Sequence, residues 1–164
     1  MSLGVLSSRR VVDLFRSVEG VVCRKQRGAN RYVCRDVVDM GVGTVIDFDR
    51  GEVVVRVPVE LSVTDIALYP GSRGSYGYVE DFEKYVEEAS GSKHASLRVF
   101  SEPEVFLDIV YDINDYDKAY RLFRKLVENK VYITTHEKVG KASIVVDDRE
   151  LETDPDTIYR IFSP

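Results

Sequence analysis

Residues 44–57 limit the possible folds more than any other stretch of the chain. Thr44-Val45-Ile46-Asp47-Phe48 and Glu52-Val53-Val54-Val55-Arg56-Val57 are rich in β-branched residues and flank Asp49-Arg50-Gly51, so they read as the strands of a hairpin. Gly51 suits the left-handed position that ends a three-residue hairpin loop. Pro58 is expected to close or bend the second strand.

A second hairpin precedes this one. Residues 21–26 and 31–38 are strand-like and flank the loop Arg27-Gly28-Ala29-Asn30. If Gly28 and Ala29 form a two-residue turn, Cys23 lies directly opposite Cys34. These two cysteines, with His94 and His136, lack the close ligand pairs of a zinc finger. A disulfide remains open, because intracellular proteins of hyperthermophiles contain them.

Helical periodicity marks four further segments. Val11, Leu14, Phe15 and Val18 predict a helix over 8–18, entered at Ser7 or Ser8 and followed by Gly20. A helix over 78–90 has an apolar face and an acidic outer face that includes Glu83, Glu87 and Glu88. The helix over 116–128, capped by Asn114 or Asp115, carries a basic stripe of Lys118, Arg121 and Lys125. A short helix over 156–162 follows Asp154 as cap and Pro155. Strands are expected at 95–100, 104–112, 131–135 and 142–147, while 61–69 fits either a helix or a strand.

Hairpins interleaved with helices give an α+β class: a mostly antiparallel sheet with three main helices. Residues 78–147 run helix, strand, strand, helix, strand, strand, the order of a permuted ferredoxin-like sandwich. At 164 residues the chain fits a single domain, 1–164. Sub-lobes 1–69 and 76–164 would be joined by the Gly/Ser-rich linker 70–75. Apolar residues reach 44% and charged residues 31%, with one Gln and three Asn, a composition that points to a thermophile. No apolar run approaches a membrane span or a signal-peptide core, so a cytoplasmic location and no membrane partner are expected.

Charge is unevenly distributed. Residues 1–35 hold eight Lys or Arg against two Asp or Glu, a local +6, which leaves −11 for residues 36–164. Arg24, Lys25, Arg27, Arg31 and Arg35 surround Tyr32, and cations with an interleaved aromatic are what contact with nucleic acid requires. In a strand, Arg31, Val33 and Arg35 share one face while Tyr32, Cys34 and Asp36 share the other. The competing reading is a solvated hairpin whose arginines pair with the acidic body.

Other constellations are weaker. Gly71-Ser72-Arg73-Gly74 resembles the loop by which KH modules clamp a nucleic-acid backbone, but Glu80 and Asp81 downstream repel an anion. Asp108 or Asp112 meeting Asp147 or Asp148 would suit a metal-dependent hydrolase or nuclease. His136, Lys138 and Lys141 form a polar cluster in the last hairpin turn. No nucleophile, catalytic residue, metal ligand or cofactor is assigned. The leading expectation is a non-enzymatic accessory or adaptor protein that contacts RNA, rather than DNA, through Arg24, Lys25, Arg27, Arg31, Tyr32 and Arg35. The alternatives are the metal-dependent hydrolase and a structural subunit or homo-oligomer.

Overall fold

The computed structural model describes residues 5–36, 41–60, 77–101, 104–136 and 141–164. Among the described residues, four helices, α1 (Val5–Arg16), α2 (Gly77–Ser90), α3 (Tyr116–Glu128) and α4 (Pro155–Phe162), accompany one nine-stranded sheet. Its strands are β1 (Val21–Lys25), β2 (Arg31–Asp36), β3 (Gly43–Asp47), β4 (Glu52–Glu60), β5 (His94–Ser101), β6 (Glu104–Asp112), β7 (Tyr132–His136), β8 (Lys141–Val146) and β9 (Arg149–Glu152). Every pairing is antiparallel except β4 with β7. The α+β class therefore holds.

Strand β4 organises the sheet. Arg56 pairs with Gly43 of β3 and with Asp108 of β6, while Val59 pairs with Val105 of β6 and with Ile133 of β7. Strand β6 thus runs along one edge of β4, and β3 and β7 share the other in succession. Pro58 sits where β3 has ended and β7 has not begun. The strand continues through it to Glu60 instead of closing, because a missing N–H is tolerated where the neighbouring strand is interrupted. A permuted ferredoxin-like sandwich would set β6 beside β8; here β4 lies between β6 and β7, and β8 is carried outward next to β9.

Alternation along β4 divides the sheet into two faces. Val53, Val55, Val57 and Val59 are buried with Leu107, Ile109 and Tyr111 of β6 and with Phe15, Val86, Phe123 and Phe162 of the four helices. All helices therefore lie on this one face. The opposite face carries a row that the register aligns across the strands: Arg24, Val33, Val45, Val54, Val110 and His94. Val45 and Val110 are buried there, outside the main core cluster.

Local chemistry accounts for most element ends. In α4 the Asp154 carboxylate accepts from the Thr157 N–H at 2.7 Å, with Pro155 in the first turn. Helix α3 occupies the expected residues, but neither Asn114 nor Asp115 caps it through a side chain; a 3-10 turn, Ile113–Asp115, leads into it instead. Helix α1 begins at Val5 and takes Ser8 inside rather than using it as a cap. Glu83 does not face outward. It is buried, and its carboxylate accepts from the Leu97 N–H at 3.0 Å. Among the described residues β5 pairs with β6 alone, so this contact satisfies a donor on its other edge.

The turns bear out some expectations and change others. Cys23 pairs with Cys34 in the ladder, and the two form a disulfide. The loop between them is Arg27–Asn30, with Gly28 at φ +77°. The β3–β4 loop takes four residues, Phe48–Gly51, rather than three. Phe48 is held in this loop, its N–H donating to the Asn30 carbonyl and its ring meeting Tyr32 edge-on at 6.0 Å. Strand β9, which lies beyond the strands expected from the sequence, is reached by a two-residue turn at Asp147 and Asp148, both at positive φ. The linker 70–75 and the ambiguous residues 61–69 lie outside the described residues.

Two stability predictions follow from these turns. Closing an 11-residue separation by a disulfide contributes roughly 2–3 kcal/mol, so adding a phosphine reductant should lower the urea-unfolding free energy by that amount. Helix α3 ends with Lys130 N–H on the Val127 carbonyl and Val131 N–H on the Leu126 carbonyl, which places Lys130 at φ +50°, a position that favours glycine. Lys130→Gly should raise the unfolding free energy by roughly 0.5–1 kcal/mol in the same assay.

Candidate nucleic-acid interface

The register of β1 and β2 determines where each cation points. Arg24 pairs with Val33 and Arg35 with Val22, so Arg24, Arg31 and Arg35 project from the face opposite the helices. Lys25 pairs with Tyr32, and both project towards the α1 side. Arg27 lies in the loop. The six expected residues thus divide between two faces and the tip, and Tyr32 does not join the three arginines.

Their electrostatic surroundings differ. Arg31 donates to the Gln26 side chain at 2.7 Å and lies 3.9 Å from the Asp47 carboxylate. It is engaged within the fold. Arg24, Lys25, Arg27 and Arg35 are exposed, and none forms an ion pair among the described residues. Arg9 and Arg10 on α1 share this condition, whereas Arg16 pairs with Asp13 at 3.1 Å.

On the α1 side, Tyr32 lines a groove of about 290 Å³ together with Ser8, Arg9, Asp13, Arg16 and Asn30. On the opposite side, Arg35 and Arg56 flank Gly43 in one cross-strand row. A Cβ at Gly43 would come within 3.9 Å of the Arg35 side chain. Beyond Gly43 the basic row ends, because Arg56 meets the buried Asp108 carboxylate at 3.1 Å. The groove residues and Arg56 escape a reading by sequence distance, since only the strand register brings them near the hairpin.

The basic stripe of α3 does not extend this surface. Helix α3 covers the core face of the sheet, opposite Arg24 and Arg35. Lys125 bends back onto the carbonyls of Arg160 and Ser163, the latter at 2.9 Å, and burial followed by the nearby Arg160 pushes its pKa down. Arg121 pairs with Asp117 at 3.2 Å.

The carboxylates of the alternative site are separately engaged. Asp108 faces Arg56, while Asp112 and Glu52 hold Lys93 at 3.2 and 2.8 Å. Hydrogen bonds from Glu52 first and Asp112 second push the Lys93 pKa up. Asp147 and Asp148 form the β8–β9 turn. Among the described residues no three His, Cys, Asp or Glu side chains are grouped to hold a metal ion, and no helix is long and apolar enough to cross a membrane. The Gly71–Gly74 segment and the side chains of His136, Lys138 and Lys141 lie outside the described residues.

Comparisons with protein-family models, with curated proteins and with solved structures find no match to this chain.

Because Lys125 closes the α4 end, Lys125→Ala should cost roughly 1–2 kcal/mol in unfolding free energy. It should leave any retention of nucleic acid within twofold of the parent chain, as measured by filter binding at fixed salt.

Proposed function

We propose that the chain is a non-catalytic accessory protein that contacts nucleic acid, RNA in preference to DNA, through the β1–β2 hairpin and the adjoining surface of α1. One observation carries this reading. Arg24, Lys25, Arg27 and Arg35 stand exposed without ion pairs among the described residues, on a hairpin clamped by Cys23–Cys34, although the rest of the chain carries an excess of carboxylates. A solvated hairpin neutralised by its own acidic body would show those pairs.

The hairpin offers two kinds of contact. Exposed guanidinium and ammonium groups neutralise phosphates and release condensed counterions, the sequence-independent part of binding. The Tyr32 groove adds an aromatic surface with Asn30, Ser8 and Arg9 around it, which suits an unpaired base better than a stacked one. Single-stranded RNA meets both requirements.

Filter retention of a single-stranded RNA, a single-stranded DNA and a duplex DNA, each across a salt series, tests the proposal. The RNA should be held most strongly at low salt. Replacing Arg24, Lys25 and Arg27 together by Ala should flatten the log K against log salt slope by roughly 2 units. Tyr32→Leu should weaken retention of the single strands more than that of the duplex. Absence of retention at low salt, or a triple variant indistinguishable from the parent, would sink the idea.

A further inference from the structure

The division of the β4 edge between β3 and β7 leaves a gap in the sheet, and the gap is a cavity. It measures about 500 Å³, within the range of about 300–1,000 Å³ usual for small-molecule sites. Pro58 and Val59 of β4 line it, where no strand among the described residues pairs on that edge between Arg56 and Val59. Val42 bounds it on the β3 side, Val131 on the β7 side, and Leu126 and Val127 of α3 close the back. An apolar body would replace water against these walls.

The mouth has the opposite character. Glu60 and Asp148 line it, with Asp36 also at the rim, and among the described lining residues the one cation is Lys130. The C-terminal end of α3 opens onto the same space, and its partial negative charge also favours a cation. Tyr132 reports this field. Burial first, then Glu60, Asp148 and Glu150, push its phenol pKa up, so the hydroxyl stays neutral and able to hydrogen-bond. The two residues at the rim with left-handed backbone, Lys130 and Asp148, are braced there, with the adjacent Asp147 N–H donating to the Asn129 carbonyl at 2.9 Å.

We propose that this cavity binds a small organic cation, a protonated amine on an apolar body. The apolar part lies against Val59, Leu126 and Val127, and the ammonium group lies by Glu60 and Asp148. A neutral ligand gains only the walls, and an anion meets carboxylates at the mouth. The site is independent of the nucleic-acid reading, since it uses none of the hairpin's cations and shares only Asp36, at the far end of β2, with the hairpin.

Calorimetric titration of the full oxidised chain with phenethylammonium, 2-phenylethanol and 3-phenylpropionate at low ionic strength tests this directly. The three probes share one ring and differ in charge. The amine should bind about tenfold or more tightly than the alcohol, and the carboxylate should not bind. Glu60→Gln and Asp148→Asn should each weaken the amine about two- to fivefold, and Val127→Phe should abolish binding by filling the back wall. Equal binding of amine and alcohol, no heat with amine at about 10 mM, or an unchanged affinity in a folded Val127→Phe variant would overturn the assignment. If Val127→Phe does not fold, the two carboxylate variants and the probe comparison decide it.

Discussion

Val53, Val55, Val57 and Val59 point into the core from a strand whose two edges are both hydrogen-bonded, and the remaining elements are placed relative to them. Each buried valine contributes on the order of 1.5–2 kcal/mol, and the row gives α3 a surface to pack on, while α1 rests on β1, β2 and α3, and α4 rests on α2 and α3. Strand β6 follows this row along its full length, while β3 and β7 divide the other edge. A strand used in this way cannot have a continuous neighbour on its divided edge. The interruption at Pro58 and the cavity beside it are therefore direct results of how the core is built, not separate features.

The same geometry separates charge. On the face opposite the helices, the β4–β6 region matches cations with carboxylates, Arg56 with Asp108 and Lys93 with Glu52 and Asp112. Towards β1 the matching stops. Gly43 provides no side chain between Arg35 and Arg56, and on this face the described residues of β1 and β2 include no carboxylate. Most of the hairpin cations are thus left to solvent or to a ligand, which is the physical basis of the proposed nucleic-acid contact.

What the sequence makes legible is local. Helix α3 declares itself through Ala119, Phe123 and Leu126, and the Asp154-Pro155 pair announces α4, because capping and periodicity act within one or two turns. The facing of Cys23 and Cys34 follows from counting residues around a short loop. Long-range pairing leaves no such trace. Nothing near Val59 reveals that Ile133 will lie beside it, and the sequence 149–152 looks like an acidic loop until Leu151 is set against Ile144. Glu83 differs from its sequence expectation for a related reason: its position on the acidic face of α2 is local, but the Leu97 N–H of β5 that draws it inward is not. For the candidate interface, alternation correctly separated Tyr32 from Arg31 and Arg35, whereas the ion pairing that distinguishes Arg31 from Arg35 depends on β3.

The disulfide has a consequence for the hairpin it clamps. In most hairpins the turn sets the register, so adding a residue at the tip rotates every side chain below it to the wrong face. Here a covalent bond three residues below the tip holds Cys23 against Cys34 whatever the loop does. The length of the segment Arg27–Asn30 is thereby uncoupled from the direction in which Arg24 and Arg35 point. The tip behaves as an exchangeable cassette on a fixed stem, and its reach and charge can diverge without disturbing the sheet beneath.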